Sequence, residues 1–402
     1  MIKDIYASVI RPRELVAMLK VKLGSKEQAR NKLPLSELAL KFDDKAFCYA
    51  ALNKVSRSFA IVIQQLPEKL KDPVCLFYLI LRALDTLEDD MKFDSEKKLP
   101  LLRTFYLHIG DENWSMHNVG DTDDYRTLLA HYSKIARFYN TLDPDYQNVI
   151  ADITNKMGNG MADYALKKVH TLEDYDKYCH YVAGLVGMGL SGLFAVSGYE
   201  NDTLKEEFRI SNSMGLFLQK TNIIRDYHED LFLGRSFWPT EIWTQYASHF
   251  DRFANAPDAP NSLACLNHLV LDTLRHIPDC MAYMRKLHNK QVFRFCAIPQ
   301  VMAMATLAEV YNNPKVFKGV VKIRKGLASK LMLYTNDMNA VVKSFRRFIF
   351  AMLDKTNPQD PNFPQLYHQL SQILILLENI YKSPEIHHSA ASFEQVLMVE
   401  PG

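Results

Sequence analysis

Two short stretches carry residue types that could do chemistry together. Asp85-Thr86-Leu87-Glu88-Asp89-Asp90 and Asp226-Tyr227-His228-Glu229-Asp230 share the pattern Asp-x-x-Glu-Asp. On a helix, positions i, i+3 and i+4 lie on one face. Asp85, Glu88 and Asp89 are therefore expected to point together, and so are Asp226, Glu229 and Asp230. Opposed across a cavity, about six carboxylates repel one another unless cations neutralise them. Mg2+, or Mn2+ in its place, suits oxygen ligands and commonly bridges carboxylates to substrate phosphates. One such motif alone would ordinarily be a solvated helix face. Two copies, each beside an apolar run and an arginine (Arg82 and Arg225), favour a diphosphate site. The twelve-residue calcium loop with its central glycine is missing, so these are not EF-hands.

A metal–diphosphate site walled by apolar side chains suits carbocation chemistry. Ionising an allylic diphosphate needs the leaving group's charge neutralised, here by metal with Arg82, Arg225 and Arg235. Gln219 and Asn222, just before the second motif, are further candidates for diphosphate contacts. Water must be excluded, because it would quench the cation. Aromatic faces stabilise a cation without attacking it, and Phe59, Tyr78, Tyr178, Phe293 and Phe295 are the candidates. Val182, Ala183, Leu190 and Pro299, with Phe59, are the candidate apolar wall. Taken singly, each of these is ordinary core. Tyr178 also offers a phenol for proton transfer, provided a neighbouring arginine lowers its pKa.

The elements that must position these groups read as helices. Val74 to Leu84 is an apolar run that delivers Asp85. Residues 110–124 are loop-like, and helical periodicity resumes from Tyr125 to Asp163. Thr171-Leu172-Glu173-Asp174 resembles a capping box and opens a helix through Tyr178 that contains Gly184, Gly187 and Gly189. Three helical glycines at about 1 kcal/mol each make sense where a backbone approaches a ligand or another helix. Ser211 to Asp230 carries the second motif, residues 255–262 form a linker-like loop, and Val292 to Tyr311 is a long apolar helix interrupted by Pro299. The basic stretch Lys315 to Gly326 is either a solvated face or a source of cations for a second anionic ligand. No alternating strand pattern and no Gly-x-Gly-x-x-Gly fingerprint occurs, which excludes a Rossmann domain. The expectation is one all-α domain over residues 41–382, with a peripheral helical segment at 1–40 and a disordered tail at 383–402.

Composition agrees. Hydrophobic residues make up 48%, glycine is scarce, and 48 basic against 46 acidic residues leave no field that would call for nucleic acid. The six cysteines are scattered without a Cys-x-x-Cys pair, which argues against a zinc site or a disulfide framework. Nothing at the N-terminus has a signal-peptide core, and no stretch reaches the roughly 18 apolar residues of a membrane span. A soluble monomer is expected.

Taken jointly, these motifs resemble the squalene synthases of the squalene/phytoene synthase family. The resemblance rests on Ser-Arg-Ser-Phe-Ala (56–60), the run ending in Asp-Thr-Leu-Glu-Asp-Asp (77–90) and Tyr-Cys-His-Tyr-Val-Ala-Gly-Leu-Val-Gly (178–187). It continues through Leu-Gln-Lys-Thr-Asn-Ile-Ile-Arg-Asp-Tyr (218–227), Gly-Arg-Ser-Phe-Trp-Pro (234–239), Cys-Ala-Ile-Pro-Gln-Val-Met-Ala (296–303) and residues 311–326. It implies an all-α isoprenoid synthase fold with a central cavity. Two farnesyl diphosphates would condense to presqualene diphosphate, which NADPH would then reduce to squalene. Asp85, Glu88, Asp89, Asp226, Glu229 and Asp230 match metal-binding positions, and Arg57, Arg82, Arg225 and Arg235 match diphosphate contacts. Tyr178 matches the base of the first half-reaction, with Tyr78 and Arg82 beside it, and Phe295 matches the aromatic of the second. Ser56, Arg57, Lys322 and Arg324 match positions linked to the reductant. Family members usually end in an anchor to the endoplasmic reticulum membrane. None is seen in this sequence, so a cytosolic location is expected as it stands, or the membrane's cytosolic face if an anchor belongs to it. The alternatives are a same-fold enzyme that stops at presqualene diphosphate or makes another thirty-carbon product, and a non-catalytic metal- or lipid-binding protein. Leu231-Phe232-Leu233 departs from the pattern, being apolar where polar loop residues are expected.

Overall fold

The computed structural model describes residues 33–56, 58–165 and 167–382, with Glu14, Ala17 and Met18 of the N-terminal segment. Most of the expected peripheral segment, the 383–402 tail and Arg57 lie outside the described residues. Among those described, every regular element is a helix.

The helix Phe208–Arg225 is the axis of the fold. It buries residues on all sides, including Ile210, Met214, Phe217, Thr221 and Ile224, as a helix surrounded by others must. Around it pack Leu185–Val196, Ile277–Arg285, Lys290–Val310 and the turn His180–Gly184. Small residues allow the closest approach. A Cβ on Gly187 would lie 2.3 Å from the Ser211 carbonyl oxygen, and one on Gly215 would lie 2.2 Å from that of Ala183. Gly187 and Gly215 thus bring two backbones together, whereas Gly184 and Gly189 make room for the Asn212 and Phe77 side chains. The segment His180–Gly184 is a π-helical turn, a form concentrated at functional sites.

Lys220 locks this axis from the side opposite the candidate diphosphate residues. Its side chain is fully buried and bonds Asp176 and Asp272, each at 2.5 Å. The helices Leu172–Cys179, Phe208–Arg225 and Pro260–Leu274 are thus tied at one point. Breaking a buried pair of this kind costs about 3–5 kcal/mol, because a bare charge is left behind.

Local signals act as expected at several ends. Thr171 and Asp174 form the reciprocal capping box, and Asp43 and Asn289 cap their helices through side-chain oxygens. Four expectations need correction. Periodicity from Tyr125 to Asp163 resolves into Asp123–Ala130, Tyr132–Tyr139 and Pro144–Tyr164. The linker is shorter than 255–262, because Pro260 opens a helix, its fixed φ suiting the first turn. Pro299 does not interrupt Lys290–Val310, which runs through it. Finally, Leu172–Val196 and Lys290–Val310 are long and apolar enough to cross a membrane, with mean hydropathies of 1.5 and 1.2 over their most apolar windows. Half of the first window and 78% of the second are buried. Both helices wall an internal cavity, and this accounts for their composition.

Candidate active site

That cavity has a volume of about 280 Å³. Every expected wall residue lines it: Phe59, Val182, Ala183, Leu190 and Pro299, with Tyr78, Arg82, Asp85, Gln219, Asn222 and Phe295. Along the Glu68–Asp89 helix it runs from Val74 to Asp85, about 16 Å at 1.5 Å per residue. Apolar side chains dominate until Arg82, Asp85, Gln219 and Asn222 close one end. A cavity with a single charged end fits an amphiphile with an anionic head. Pro299 lacks the N–H that would bond the Phe295 carbonyl one turn back, and both residues face the cavity.

The two acidic motifs meet beyond the charged end. Arg235 donates to Asp89 at 2.8 Å and lies 3.5 Å from Asp230. One guanidinium therefore spans the motifs, where like charges would otherwise face each other. The first motif closes the Glu68–Asp89 helix. Burial, followed by the opposing pull of Arg82 and repulsion from Asp89, leaves the Asp85 carboxyl raised to about 6. Glu88 is also raised, by burial and then by Asp89 and Asp85. Asp90, the sixth residue, is different. Burial works against its charge, but backbone N–H groups of Gly120, Lys92 and Phe93 hold it low. It anchors the loop rather than facing the mouth, and buried Lys98 caps the same helix end through the Glu88 and Asp90 carbonyls.

The second motif straddles a boundary between helices. The axial helix ends at Arg225, Asp226 caps it, and Tyr227–Phe232 is a separate short helix. The Asp230 N–H still bonds the Asp226 carbonyl at 3.0 Å, so the acids stay within one turn. Arg225 bonds Asp226 through two nitrogens, at 2.7 and 2.5 Å. Glu229 is exposed, though near enough to add to the repulsion on Asp230. Asp230 is raised to about 7, by burial first, against the pull of Arg235.

Tyr178 also differs from expectation. It lies at the acidic mouth, is not among the cavity's lining residues, and stacks on Phe237 with ring centroids 4.9 Å apart. Burial, Glu88 and Asp89 push its phenol well above the usual range, and Arg235 only partly opposes them. An arginine does pull it downward, but burial outweighs that pull. At the set matched to a reductant, Ser56 is buried with its hydroxyl on the Leu52 carbonyl. Arg324 pairs with Glu14 at 3.2 Å, and Lys322 is exposed. Phe293 is buried but is not among the lining residues.

Several lining residues went unread in the sequence. Phe77, Leu81, Met157, Met214, Leu218, Tyr283 and Gln300 complete the wall. Phe77, Leu81, Leu218 and Met214 could have been found by stepping one or two turns back from Asp85 and Asn222. Gln300 donates to the Met214 carbonyl at 2.9 Å, which sequence spacing cannot show. Phe295 also borders a second cavity of about 270 Å³. Its Arg294 bonds the Met332 carbonyl near the end of Lys325–Tyr334, as a helix cap would.

Among the described residues, no three carboxylate, histidine or cysteine side chains converge into a ready-made metal cage. The donor set nevertheless fits a hard divalent ion, since acids whose charge is disfavoured first by burial and then by one another gain from a cation. Mg2+ usually takes one or two carboxylates, with substrate phosphates and water as the rest. An anionic partner also has donors waiting. Arg82 Nε and Arg235 Nε are buried without a hydrogen-bond partner among the described residues.

Comparison with known proteins agrees with this geometry. Residues 52–326 match the squalene/phytoene synthase family model. A squalene synthase of Candida albicans is 49% identical over 348 residues, 84% of this chain and 78% of that protein. The squalene synthase of Mus musculus is 45% identical, over 90% of this chain and 86% of its own length. A solved structure of TcSQS with the ligand E5700 is 43% identical, with a TM-score of 0.82, covering 84% of this chain and 98% of that one. By matched length, identity and shared architecture, the chain belongs to the squalene/phytoene synthase family.

Proposed function

We infer that this chain catalyses the squalene synthase reaction. Two farnesyl diphosphates join head to head, losing one diphosphate and one proton to give presqualene diphosphate. That intermediate loses its diphosphate, rearranges, and takes a hydride to give squalene. The observation that carries the reading is the apolar cavity closed at one end by Arg82, Asp85, Gln219 and Asn222, with the acidic motifs meeting beyond it.

The residues support this division of labour. Arg82 and Arg235 offer unused donors to a departing diphosphate, and Gln219 and Asn222 orient it. Asp85, Glu88, Asp89 and Asp230, with Asp226 once Arg225 releases it, would hold Mg2+, which when bound neutralises charge on the leaving group. The apolar walls exclude water from the cation, and the Tyr78 and Phe295 rings face it without offering a nucleophile. Tyr178 sits among carboxylates, so a free phenolate there is disfavoured. It suits a relay, giving its own proton to the departing diphosphate as it takes one from carbon. NADPH would supply the hydride, with Lys322 and Arg324 as candidates for its phosphates. The chain would work beside a membrane, where its substrates and product partition.

Two observations favour a second reading, an enzyme that stops at presqualene diphosphate. Ser56 and Arg324 are engaged within the protein rather than displayed. Incubation with farnesyl diphosphate and Mg2+, with and without NADPH, followed by phosphatase treatment and mass spectrometry, separates the readings. Squalene only with NADPH, and presqualene alcohol without it, is expected. Presqualene alcohol under both conditions selects the partial enzyme, and unconsumed substrate defeats both.

A further inference from the structure

Followed outward from the cavity, both motif-bearing segments end in exposed apolar side chains. The first runs from Arg82 and Asp85 through Asp89 to Met91, and the second from Asn222 through Asp226 and Asp230 to Phe232 and Leu233. Because Arg235 joins Asp89 to Asp230, these ends flank one mouth. Met91 is 63% exposed, Phe232 79% and Leu233 52%. Their projection is built in. Tyr227 is buried, Leu231 packs inward, and the Phe232 ring rests edge-on against His228 at 4.8 Å. Gly234, at φ +69°, then turns the chain back so that the Arg235 N–H bonds the Asp230 carbonyl.

Single exposed apolar residues need no account, but three on the rim of one mouth do. The three side chains offer on the order of 300 Å² of apolar surface, well under the roughly 800 Å² per partner of a stable protein interface. A protein seated there would also close the mouth. A bilayer would not, since it is fluid and a prenyl tail can pass from it into the apolar cavity, leaving the diphosphate at the charged end. The acids of the mouth, with Glu229 exposed at its edge, oppose a strongly anionic membrane, while exposed Lys92 beside Met91 can meet a phosphate head group. We propose that Met91, Phe232 and Leu233 form a docking rim that sets the active-site mouth on a zwitterionic phospholipid surface. The purpose of this contact rests on the allylic-diphosphate reading above; the contact itself is measured without turnover.

The test is flotation of the full chain with phosphatidylcholine vesicles. Wild type should float. The double variant Phe232→Asp/Leu233→Asp, and separately Met91→Asp on the other segment, should lose about tenfold or more of the bound fraction. Phe350→Asp, on an exposed apolar position elsewhere, should float like wild type. With farnesyl diphosphate presented in the vesicles, the rim variants should raise KM, and with detergent-dispersed substrate they should match wild type. Absence of wild-type flotation, or rim variants that float as well as wild type, would overturn the proposal. So would a concentration-dependent dimer abolished by the double variant, which would make a second copy the occupant. Loss of the enzyme reading would appear instead as unconsumed substrate in detergent, with flotation unaffected.

Discussion

The two acidic motifs share a pattern and differ in almost everything else. At 85–89 the acids finish a continuous helix, half-buried, and their mutual repulsion is opposed by Arg82 and Arg235. At 226–230 the helix breaks at the first acid, Arg225 holds Asp226, and Glu229 is exposed. The first motif is a fixed wall, because its helix packs along its whole length. The second is held by a pair of chain neighbours, Arg225 and Asp226, and by Arg235 at Asp230.

That contrast can be broken most forcefully at Asp85. Asp85→Asn should lower kcat by about 10³-fold, comparable to removing a main electrostatic contact in a transition state, with unchanged helicity. If Glu229→Gln lowers it as much, the motifs are equivalent and the contrast fails. Arg235→Met should lower kcat/KM by about 10²-fold, since it removes the bridge and a diphosphate donor together. Arg225→Ala should have a smaller effect, about tenfold or less, seen mainly as a changed Mg2+ requirement because Asp226 is set free. Glu229→Gln is expected within about twofold of wild type, as for an exposed acid.

The titrations sharpen the same comparison. Asp85 and Asp230 bind protons more tightly in the fold than when unfolded, with values near 6 and 7 against an ordinary 3.8. For such groups stability is full below the unfolded value and declines as pH rises through the folded value. The metal-free protein should therefore melt progressively lower between pH 5 and pH 8, by a few degrees. Mg2+ should raise the melting temperature more at pH 8 than at pH 6, because at pH 6 it must displace protons. A Mg2+ effect equal at both pH values would show that these carboxylates do not bind it.

Much of the cavity was legible. Arg82 stands three residues before Asp85, and Gln219 and Asn222 stand seven and four residues before Asp226. Helical spacing therefore predicted a charged end above an apolar wall. The break at Asp226 was not legible, since Asp-x-x-Glu-Asp reads the same whether the helix continues or turns. The balance of charges at Tyr178 was hidden for a related reason. Its arginine neighbour was real, but how strongly Glu88 and Asp89 oppose that arginine depends on distance and burial, which a sequence does not contain. Pro299 misled as well, because a lost hydrogen bond is tolerated within a long, well-packed helix, here beside a cavity.

By itself the sequence determined the helical class, the pairing of acidic motifs with arginines, and an apolar, glycine-bearing wall, because each is written in local spacing at the helical period. Only the tertiary structure decided that Arg235 bridges the motifs, that Asp90 is an anchor and Glu229 the more exposed acid, and that Met91, Phe232 and Leu233 are exposed. Those outcomes depend on which helices cross and how deeply each carboxylate is desolvated. Both follow from packing around the Phe208–Arg225 axis, where residues far apart in the chain set each other's charge.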